Sequence, residues 1–365
     1  MALQCGIIGI TNVGKTTIFN CISATKGETT SFAFSATKSN IGVVKVPDER
    51  LYSLEKYQPT KKITPTTVEL VDIPGLAKGS NRGEGIGNKF LGDIRNTDAL
   101  IHVLRCFDDD NLPHIDGSVD PVRDLENIDF ELQVKDLESV EKKIERISKI
   151  AKSGDKDSKK GIEALSIVKQ HLEDFKNLRS VALAPEMKKC IDDLFLFTVK
   201  PVMYVCNVDE GSANKGNKYV EDILEYLSGQ NAEVLVIAGE LEAEIADLED
   251  PDDRSEFLID LGLDEPGVDK LVRSAYRLLN LQTFFTMGPK EIRAWTITKG
   301  MTAPEAAGII HSDLQRGYIR AEVMKYEDLV KFGSEQACKD AGKYYIEGKN
   351  YIVQDGDILH IRFNV

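Results

Sequence analysis

Apolar runs separated by polar, glycine-containing segments predict an α/β architecture over the first 280 residues. The runs typical of buried strands are 3–10, 66–72, 99–107, 201–210 and 232–239. Helical or turn-like segments lie between most of them, the first beginning just after the first strand. Strands that alternate with helices in this way indicate a mostly parallel sheet with flanking helices.

The stretch 129–200 breaks this rhythm and predicts an inserted helical hairpin resembling a coiled coil. Apolar side chains recur at intervals of three and four, the spacing of one helical face. The two faces comprise Leu137, Val140, Ile144, Ile147 and Ile150, then Ile162, Leu165, Val168 and Leu172. Such a hairpin either serves as an interaction arm or packs only on itself.

From residue 281 the pattern changes again and predicts a small α+β domain. Two β-rich runs are followed by a helix at 303–312 and by further short strands. Alternation along 291–298 puts Trp295 on one face with Arg293 and Lys299. That face could stack on RNA, but a core position for Trp295 is the preferred interpretation.

These shifts divide the chain into three predicted domains: 1–128 with 201–280, 129–200, and 281–365. The net charge is −14, and residues 281–365 carry 11 basic and 11 acidic residues, so the excess acid lies entirely before residue 281. An acidic surface repels nucleic acid on average. The neutral last domain therefore favours docking on a protein or ribonucleoprotein over binding free RNA.

Composition and cysteine usage restrict the class of protein. Hydrophobic residues make up 42% and charged residues 29%, which excludes a disordered or fibrous chain. No apolar run approaches the ~20 residues of a membrane span, and no secretory signal is apparent. Six scattered cysteines without a CxxC pair indicate a reducing compartment. We expect a cytoplasmic monomer without a membrane partner.

Residues 9–16, GITNVGKT, match the phosphate-loop pattern GxxxxGK[ST] between a predicted strand and a predicted helix. Gly9 and Gly14 let the backbone curl so that its N–H groups point at phosphate oxygens. Lys15 is expected to reach the β- and γ-phosphates, and the Thr16 hydroxyl to hold Mg²⁺.

Residues 72–75, DIPG, follow a strand as a DxxG element does in such proteins. Asp72 is expected to hold Mg²⁺ through water, and the Gly75 N–H to meet the γ-phosphate. The alternative is an ordinary Asp-Pro-Gly turn.

The base-recognition element stands at 207–210, where guanine-specific proteins carry Asn-Lys-x-Asp. Here Val208 replaces the stacking Lys and Glu210 replaces the Asp that accepts from guanine. Both changes undermine guanine selection and favour ATP. The alternative is a degraded guanine site in which Asp209 takes over.

Together, the segments GITNVGKTTIFN, NIGVVKVPDERL, DIPGLAKGSNRGEGIGNKFL, NVDE and EIRAWTITKGMTAPEAAGIIHSDLQRGYIRAEV resemble the YchF family, the Obg-like ATPases. The resemblance covers residues 3–365. It implies a P-loop domain, a helical insertion, a C-terminal TGS domain of β-grasp type and hydrolysis of ATP in preference to GTP. It also implies association with the ribosome, as 50S subunit or 70S particle, with rRNA as a further candidate contact.

The resemblance assigns the nucleotide contacts position by position. The nucleotide loop is Asn12, Val13, Gly14, Lys15, Thr16 and Thr17, and the adenine-facing element is Asn207, Val208 and Glu210. One departure concerns the switch segment, where Ala36 stands in place of a threonine that completes the Mg²⁺ shell. Thr37 is the candidate replacement ligand; the alternatives are that water replaces the threonine or that the closed switch is weaker.

The sequence lacks the catalytic glutamine that Ras-like enzymes carry directly after DxxG, because Leu76 occupies that position. His114, in the polar loop 108–114, is the candidate to orient water or carry a proton. The alternative is a packing or surface histidine. Asn12 could also help to bind K⁺ near the β/γ bridge, or could simply cap the loop.

The main hypothesis is a Mg²⁺-dependent ATPase whose nucleotide state changes the conformation of switch loops at 31–40 and 72–90. The helical hairpin and the last domain would then transmit that state to the ribosome. A GTPase switch with relaxed base specificity is one alternative. A nucleotide-gated binding module with negligible turnover is another, favoured by Ala36 and Leu76.

Overall fold

The computed structural model describes residues 3–24, 40–75, 86–151, 155–181 and 184–364. The predicted switch positions Ala36, Thr37 and Leu76 lie outside these residues. No helix among the described residues has the length and apolar character needed to cross a membrane.

Twelve strands occur in the described residues. In chain order they are β1 (Gln4–Ile8), β2 (Asn40–Lys45), β3 (Ile63–Thr64), β4 (Thr67–Asp72), β5 (Ala99–Cys106), β6 (Val202–Val208), β7 (Glu233–Ile237), β8 (Leu281–Met287), β9 (Ile292–Thr298), β10 (Tyr318–Lys325), β11 (Tyr344–Glu347) and β12 (Asp357–Phe363).

Fourteen α-helices occur in the same residues. They are α1 (Lys15–Ala24), α2 (Glu49–Ser53), α3 (Ile86–Arg95), α4 (Pro121–Ala151), α5 (Lys156–Glu173), α6 (Pro185–Lys189), α7 (Lys218–Tyr226), α8 (Gly239–Asp247), α9 (Pro251–Asp260), α10 (Gly267–Leu278), α11 (Ala303–Ile310), α12 (Ser312–Arg316), α13 (Tyr326–Phe332) and α14 (Glu335–Asp340).

The described residues within 1–42 and 69–268 form one compact unit, and those within 43–68 and 269–365 form another. The sheet of the first unit has the strand order β2-β4-β1-β5-β6-β7. Strand β1 pairs in parallel with β4 and β5, and β6 pairs in parallel with β5 and β7. The carboxyl ends of these strands therefore meet at one edge of the sheet, where open α/β sheets bind ligands. This confirms the predicted parallel α/β fold.

Burial on this sheet follows the apolar pattern of the sequence. Every residue of β5 is buried, as is all of β6 after its first residue. On one face Leu104, Tyr204 and Cys206 pack against helical side chains such as Ile223 and Leu241. At ~25 cal/mol per Å² of apolar area removed from water, this burial is the main term that stabilises the unit.

The helical insertion consists of α4 and α5, as the spacing predicted. Val140, Leu165 and Val168 form its buried seam. The Asp155 side chain caps α5 by accepting from the Ser158 N–H. Ile150, in the last turn of α4, is half exposed, so the buried part of the predicted apolar face ends before it.

The second unit has a sheet with the order β11-β10-β12-β8-β9-β3 and confirms the predicted C-terminal α+β domain. The alternate faces of β9 are both covered. Ile292 and Ala294 face a cluster that includes Leu51 and Leu54, and Ile297 faces α11.

Two features of this unit bear on the sequence analysis. Trp295 is partly buried: it packs against the α11 core and donates from Nε1 to Thr286 Oγ1 at 2.9 Å, while the Arg293 guanidinium lies 4.0 Å from the centre of its ring. Residues 43–68, counted with the nucleotide-binding domain in the sequence analysis, pack in this second unit. There β3 pairs with β9, and α2 contributes Leu51 to the core.

Candidate nucleotide-binding site

The loop between β1 and α1 adopts backbone conformations that demand glycine at two positions. Gly9 has φ of +151° and Gly14 has φ of +90°. A Cβ atom on Gly9 would lie 2.5 Å from the Val103 carbonyl oxygen, and one on Gly14 would overlap Asn207 Nδ2. The loop therefore curls closely over neighbouring strand ends and leads directly into the N-terminus of α1, a favourable place for phosphate.

Lys15 lies at the centre of this loop and is almost fully buried. Its Nζ donates to the Ile10 carbonyl oxygen at 2.5 Å. Burial lowers the pKa of Lys15 to about 8, although the Asp72 carboxylate opposes the shift. A Cβ on Gly75 would lie 2.7 Å from Lys15 Nζ, so the DxxG backbone adjoins the amine. The structure thus brings the phosphate loop and DxxG together.

Thr16 and Asp72 form the pair of oxygen groups predicted to hold Mg²⁺. Thr16 Oγ1 donates to Asp72 Oδ2 at 3.1 Å. Asp72 Oδ1 is buried and has no hydrogen-bond partner among the described residues. Burial raises the pKa of Asp72, against the effects of the Thr16 hydrogen bond and the Lys15 charge. A hydroxyl and an orphaned carboxylate oxygen fit a hard divalent cation that keeps several waters.

Asn207, at the end of β6, links two neighbouring segments of the site. Its Nδ2 donates to the Val13 carbonyl oxygen at 2.9 Å, and its Oδ1 accepts from the Gly239 N–H at 2.9 Å. The side chain is buried. It therefore fixes the phosphate loop relative to the start of α8.

A cavity of about 430 Å³ opens at this edge of the sheet, within the range of small-molecule sites. It is lined by phosphate-loop residues and by residues that follow β5, β6 and β7. The lining segments are 12–17, 107–109 with Leu112, 207–209 and 239–240.

Three predicted nucleotide contacts, Gly9, Gly75 and Glu210, lie away from this lining. Gly9 supports the loop from beneath, as its approach to the Val103 carbonyl shows. Glu210 begins the 3₁₀ turn Glu210–Ser212; it and Asp209 are both exposed, but only Asp209 lines the cavity. Both carboxylate oxygens of Asp209 accept from Ser212 Oγ, at 3.1 and 2.9 Å. Strand β6 ends at Val208, directly before Asp209, and the 3₁₀ turn follows at once.

His114 lies beside the cavity but does not line it. Its Nε2 is 2.9 Å from Asp124 Oδ2, and its Nδ1 accepts from the Asp116 N–H at 3.1 Å. The proton of the neutral ring is therefore on Nε2 and is donated to Asp124. Burial raises the pKa of Asp124, while His114 and Arg123 oppose the shift. The preceding residue, Pro113, accepts from Asn12 Nδ2 at 3.3 Å, which ties this loop to the phosphate loop.

The sequence analysis missed the cavity walls that follow β5 and β7. These walls are formed by Phe107, Asp108, Asp109, Leu112, Gly239 and Glu240. Their only signal in the sequence is their place directly after buried strands, which a parallel sheet brings to one edge.

Comparison with known families gives two matches. Residues 281–364 match the C-terminal domain of YchF GTPases, a family described as a protein of unknown function (DUF933). Residues 4–153 match a family described as 50S ribosome-binding GTPase.

Relatives match over the full length of the chain. Proteins named ribosome-binding ATPase YchF from Bacillus subtilis, Haemophilus ducreyi and Escherichia coli O157:H7 are 49%, 47% and 45% identical, with complete coverage of both chains in each pair. The solved structure of the Schizosaccharomyces pombe YchF GTPase is 34% identical and superposes with a TM-score of 0.87. That match covers 99% of this chain and 97% of the other. By full-length identity and by structure, the chain belongs to the YchF family.

Proposed function

We propose that the protein binds Mg²⁺·ATP in the 430 Å³ cavity and hydrolyses it as a nucleotide-dependent switch that associates with the ribosome. One observation carries this proposal: Lys15, Thr16 and Asp72 converge at a cavity of nucleotide size. The names of the full-length relatives support ATP as substrate and the ribosome as partner.

In this proposal the phosphates lie against residues 12–17, where curled backbone N–H groups and the N-terminus of α1 offset their charge. Lys15 exchanges its bond to the Ile10 carbonyl for phosphate oxygens. Thr16 and Asp72 hold Mg²⁺, which offsets the charge that develops on the phosphates. Gly75 offers its N–H to the γ-phosphate, and Thr37 supplies the further Mg²⁺ ligand.

We propose His114 as the catalytic residue. Both its ring nitrogens are engaged, by Asp124 and by the Asp116 N–H, so the ring must leave at least one partner before it can meet a water. A resting state of this kind keeps hydrolysis slow until a partner or the nucleotide moves the loop.

K⁺ is a further proposed cofactor, held near the phosphates by Asn12. Asn12 lines the cavity and has φ of +63°, an uncommon conformation for a residue other than glycine. If Asn12 helps to hold K⁺, we expect ATP hydrolysis to be faster in KCl than in NaCl at the same ionic strength. Equal rates contradict this role.

For the ribosome we propose contact through the helical insertion 129–200 and the TGS-type domain 281–365, with rRNA as a component of that surface. The protein is proposed to act as a cytoplasmic monomer. The domain 1–128 with 201–280, apart from the residues 43–68 and 269–280 that pack in the second unit, supplies the nucleotide site, and the other two report its state.

Single-turnover hydrolysis of ATP with and without 70S ribosomes tests the function. We expect hydrolysis by the protein alone and a change in rate when ribosomes are added. Binding of ATP with no turnover under either condition would leave a nucleotide-gated binding module instead. Tighter binding of GTP than of ATP would indicate a GTPase switch.

A further inference from the structure

Arg105, in β5, is among the largest fully buried side chains of the described residues, with 1% of its surface exposed. Its guanidinium donates to three backbone carbonyl oxygens: that of Phe107 at 3.1 Å, that of Leu112 at 2.7 Å and that of Asp109 at 3.3 Å. It also lies 4.7 Å from the centre of the Phe107 ring. In the part of the chain that the structure describes, no carboxylate lies within ion-pair distance of it.

Burying a positive charge without a carboxylate partner costs free energy. The hydrogen bonds to the three carbonyl oxygens must therefore offset that cost. A guanidinium offers five donors in a fixed planar fork, which suits several carbonyls that converge on one point. Here the three carbonyls belong to one short segment, 107–112. Arg105 therefore fixes the shape of that segment from beneath.

The same segment forms a wall of the cavity through Phe107, Asp108, Asp109 and Leu112. Its outer side is anchored by Tyr219, whose hydroxyl lies 3.0 Å from both Asp108 carboxylate oxygens. The phosphate loop follows β1, whereas this wall follows β5 and is continuous with the walls after β6 and β7. If the phosphates lie on residues 12–17, as proposed, the rest of the lining, including the 107–112 wall, is left for the nucleoside part of the ligand.

We propose that Arg105 is a positioning residue for nucleotide binding, which holds the 107–112 wall in the shape that accepts the nucleoside. This inference rests on the proposed nucleotide-binding function. The proposal predicts different effects of Arg105 substitutions on two kinds of ligand, whereas a general loss of stability would weaken the binding of both. Ligands with a nucleoside should depend on Arg105, and a bare polyphosphate chain should not.

The test compares Arg105→Met and Arg105→Lys with the wild type by calorimetric binding of Mg²⁺·ATP and Mg²⁺·tripolyphosphate. Arg254→Met is the matched control, since Arg254 also donates to a backbone carbonyl, that of Leu248 at 2.6 Å, away from the cavity. We expect Arg105→Met to weaken ATP binding by about tenfold or more, the loss of several charge-assisted hydrogen bonds. Arg105→Lys should show a smaller loss. Tripolyphosphate binding should stay within about twofold, and Arg254→Met should bind both ligands as the wild type does.

Two outcomes overturn the proposal: unchanged ATP affinity in folded Arg105 variants, or equal loss of ATP and tripolyphosphate binding. If Arg105→Met does not fold, Arg105→Lys decides the question, with hydrogen exchange of amides 107–112 as a second readout. Faster exchange there together with an ATP-specific loss supports the role, and unchanged exchange and affinity contradict it. A wild type that binds tripolyphosphate but not ATP would instead refute the proposed ATP function itself.

Discussion

The Nε2 atom of His114 lies 2.9 Å from Asp124 Oδ2, in a pair whose side chains are only 3% and 2% exposed. With Nδ1 accepting from the Asp116 N–H, the imidazole has no nitrogen left for a water molecule. The loop that carries it is nonetheless tied to the phosphate loop through Asn12 and Pro113. A change in the phosphate loop can therefore reach His114 through one hydrogen bond.

His114→Ala should separate turnover from binding. We expect kcat to fall by about a hundredfold, within the usual range for general acid–base groups, with ATP affinity nearly unchanged. Single-turnover hydrolysis and calorimetry measure the two quantities on the same protein. A collapse of affinity, or an unaltered rate, would show that the histidine only packs against Asp124.

Asn207→Ala should weaken nucleotide binding through the phosphate loop. The substitution removes the bonds to the Val13 carbonyl and the Gly239 N–H, and an unpaired buried polar group costs about 1–3 kcal/mol. We expect ATP and tripolyphosphate affinities to fall together. Asn214→Ala is the matched control, because Asn214 donates to the Gly262 carbonyl outside the cavity. Affinity equal to that of the control would refute the linking role.

The double change Val208→Lys with Glu210→Asp restores the guanine-binding pattern and should shift preference toward GTP. Val208 lines the cavity, although its side chain is largely buried in the core behind it, so a lysine there must extend its amine toward the cavity, where the base is proposed to lie. We expect the ratio of GTP to ATP affinity to rise by about tenfold or more, as for one good polar contact.

Glu210→Ala alone provides the comparison for this double variant. Because Glu210 lies outside the cavity lining, ATP affinity should change little. A strong loss of ATP binding in Glu210→Ala would show that Glu210 contacts the base after a rearrangement of the 3₁₀ turn.

His102, a buried residue of β5, should make stability depend on pH. Burial lowers its pKa from 6.5 to about 4, and Nε2 has no hydrogen-bond partner among the described residues. The unfolded chain therefore takes up this proton first as the pH falls. Stability is unaffected above pH 6.5 and declines between 6.5 and 4, by roughly 3 kcal/mol over the whole window.

Urea unfolding of wild type and His102→Leu at pH 7 and pH 4 measures this term. The variant should lose about 3 kcal/mol less than the wild type between the two pH values. Other carboxylates titrate in both proteins and cancel in the difference. The same loss in both would assign the acid sensitivity to other groups.

The sequence predicted those parts of the molecule that have a clear period or motif. The α4–α5 seam follows from apolar spacing, and the phosphate loop follows from glycines whose positive φ the structure requires. Strand β3 has only two residues and α2 only five, too few for a period to show that 43–68 packs with the last strands.

The site was predictable only where one segment of chain determines it. In the sequence Arg105 is a single charged residue within an apolar strand. Its three carbonyl partners can be identified only in the folded structure, where segment 107–112 turns back over the guanidinium. Likewise the spacing of Asp209 and Glu210 gives no sign that, of these two exposed residues, only the first lines the cavity.

Calorimetric titration of the wild type and Lys15→Met with Mg²⁺·ATP and Mg²⁺·GTP tests the central claim most directly. The account predicts one ATP site per chain, GTP weaker by about tenfold or more, and at least a hundredfold loss of ATP affinity when the buried amine is removed. Equal binding of ATP by the wild type and Lys15→Met would contradict it.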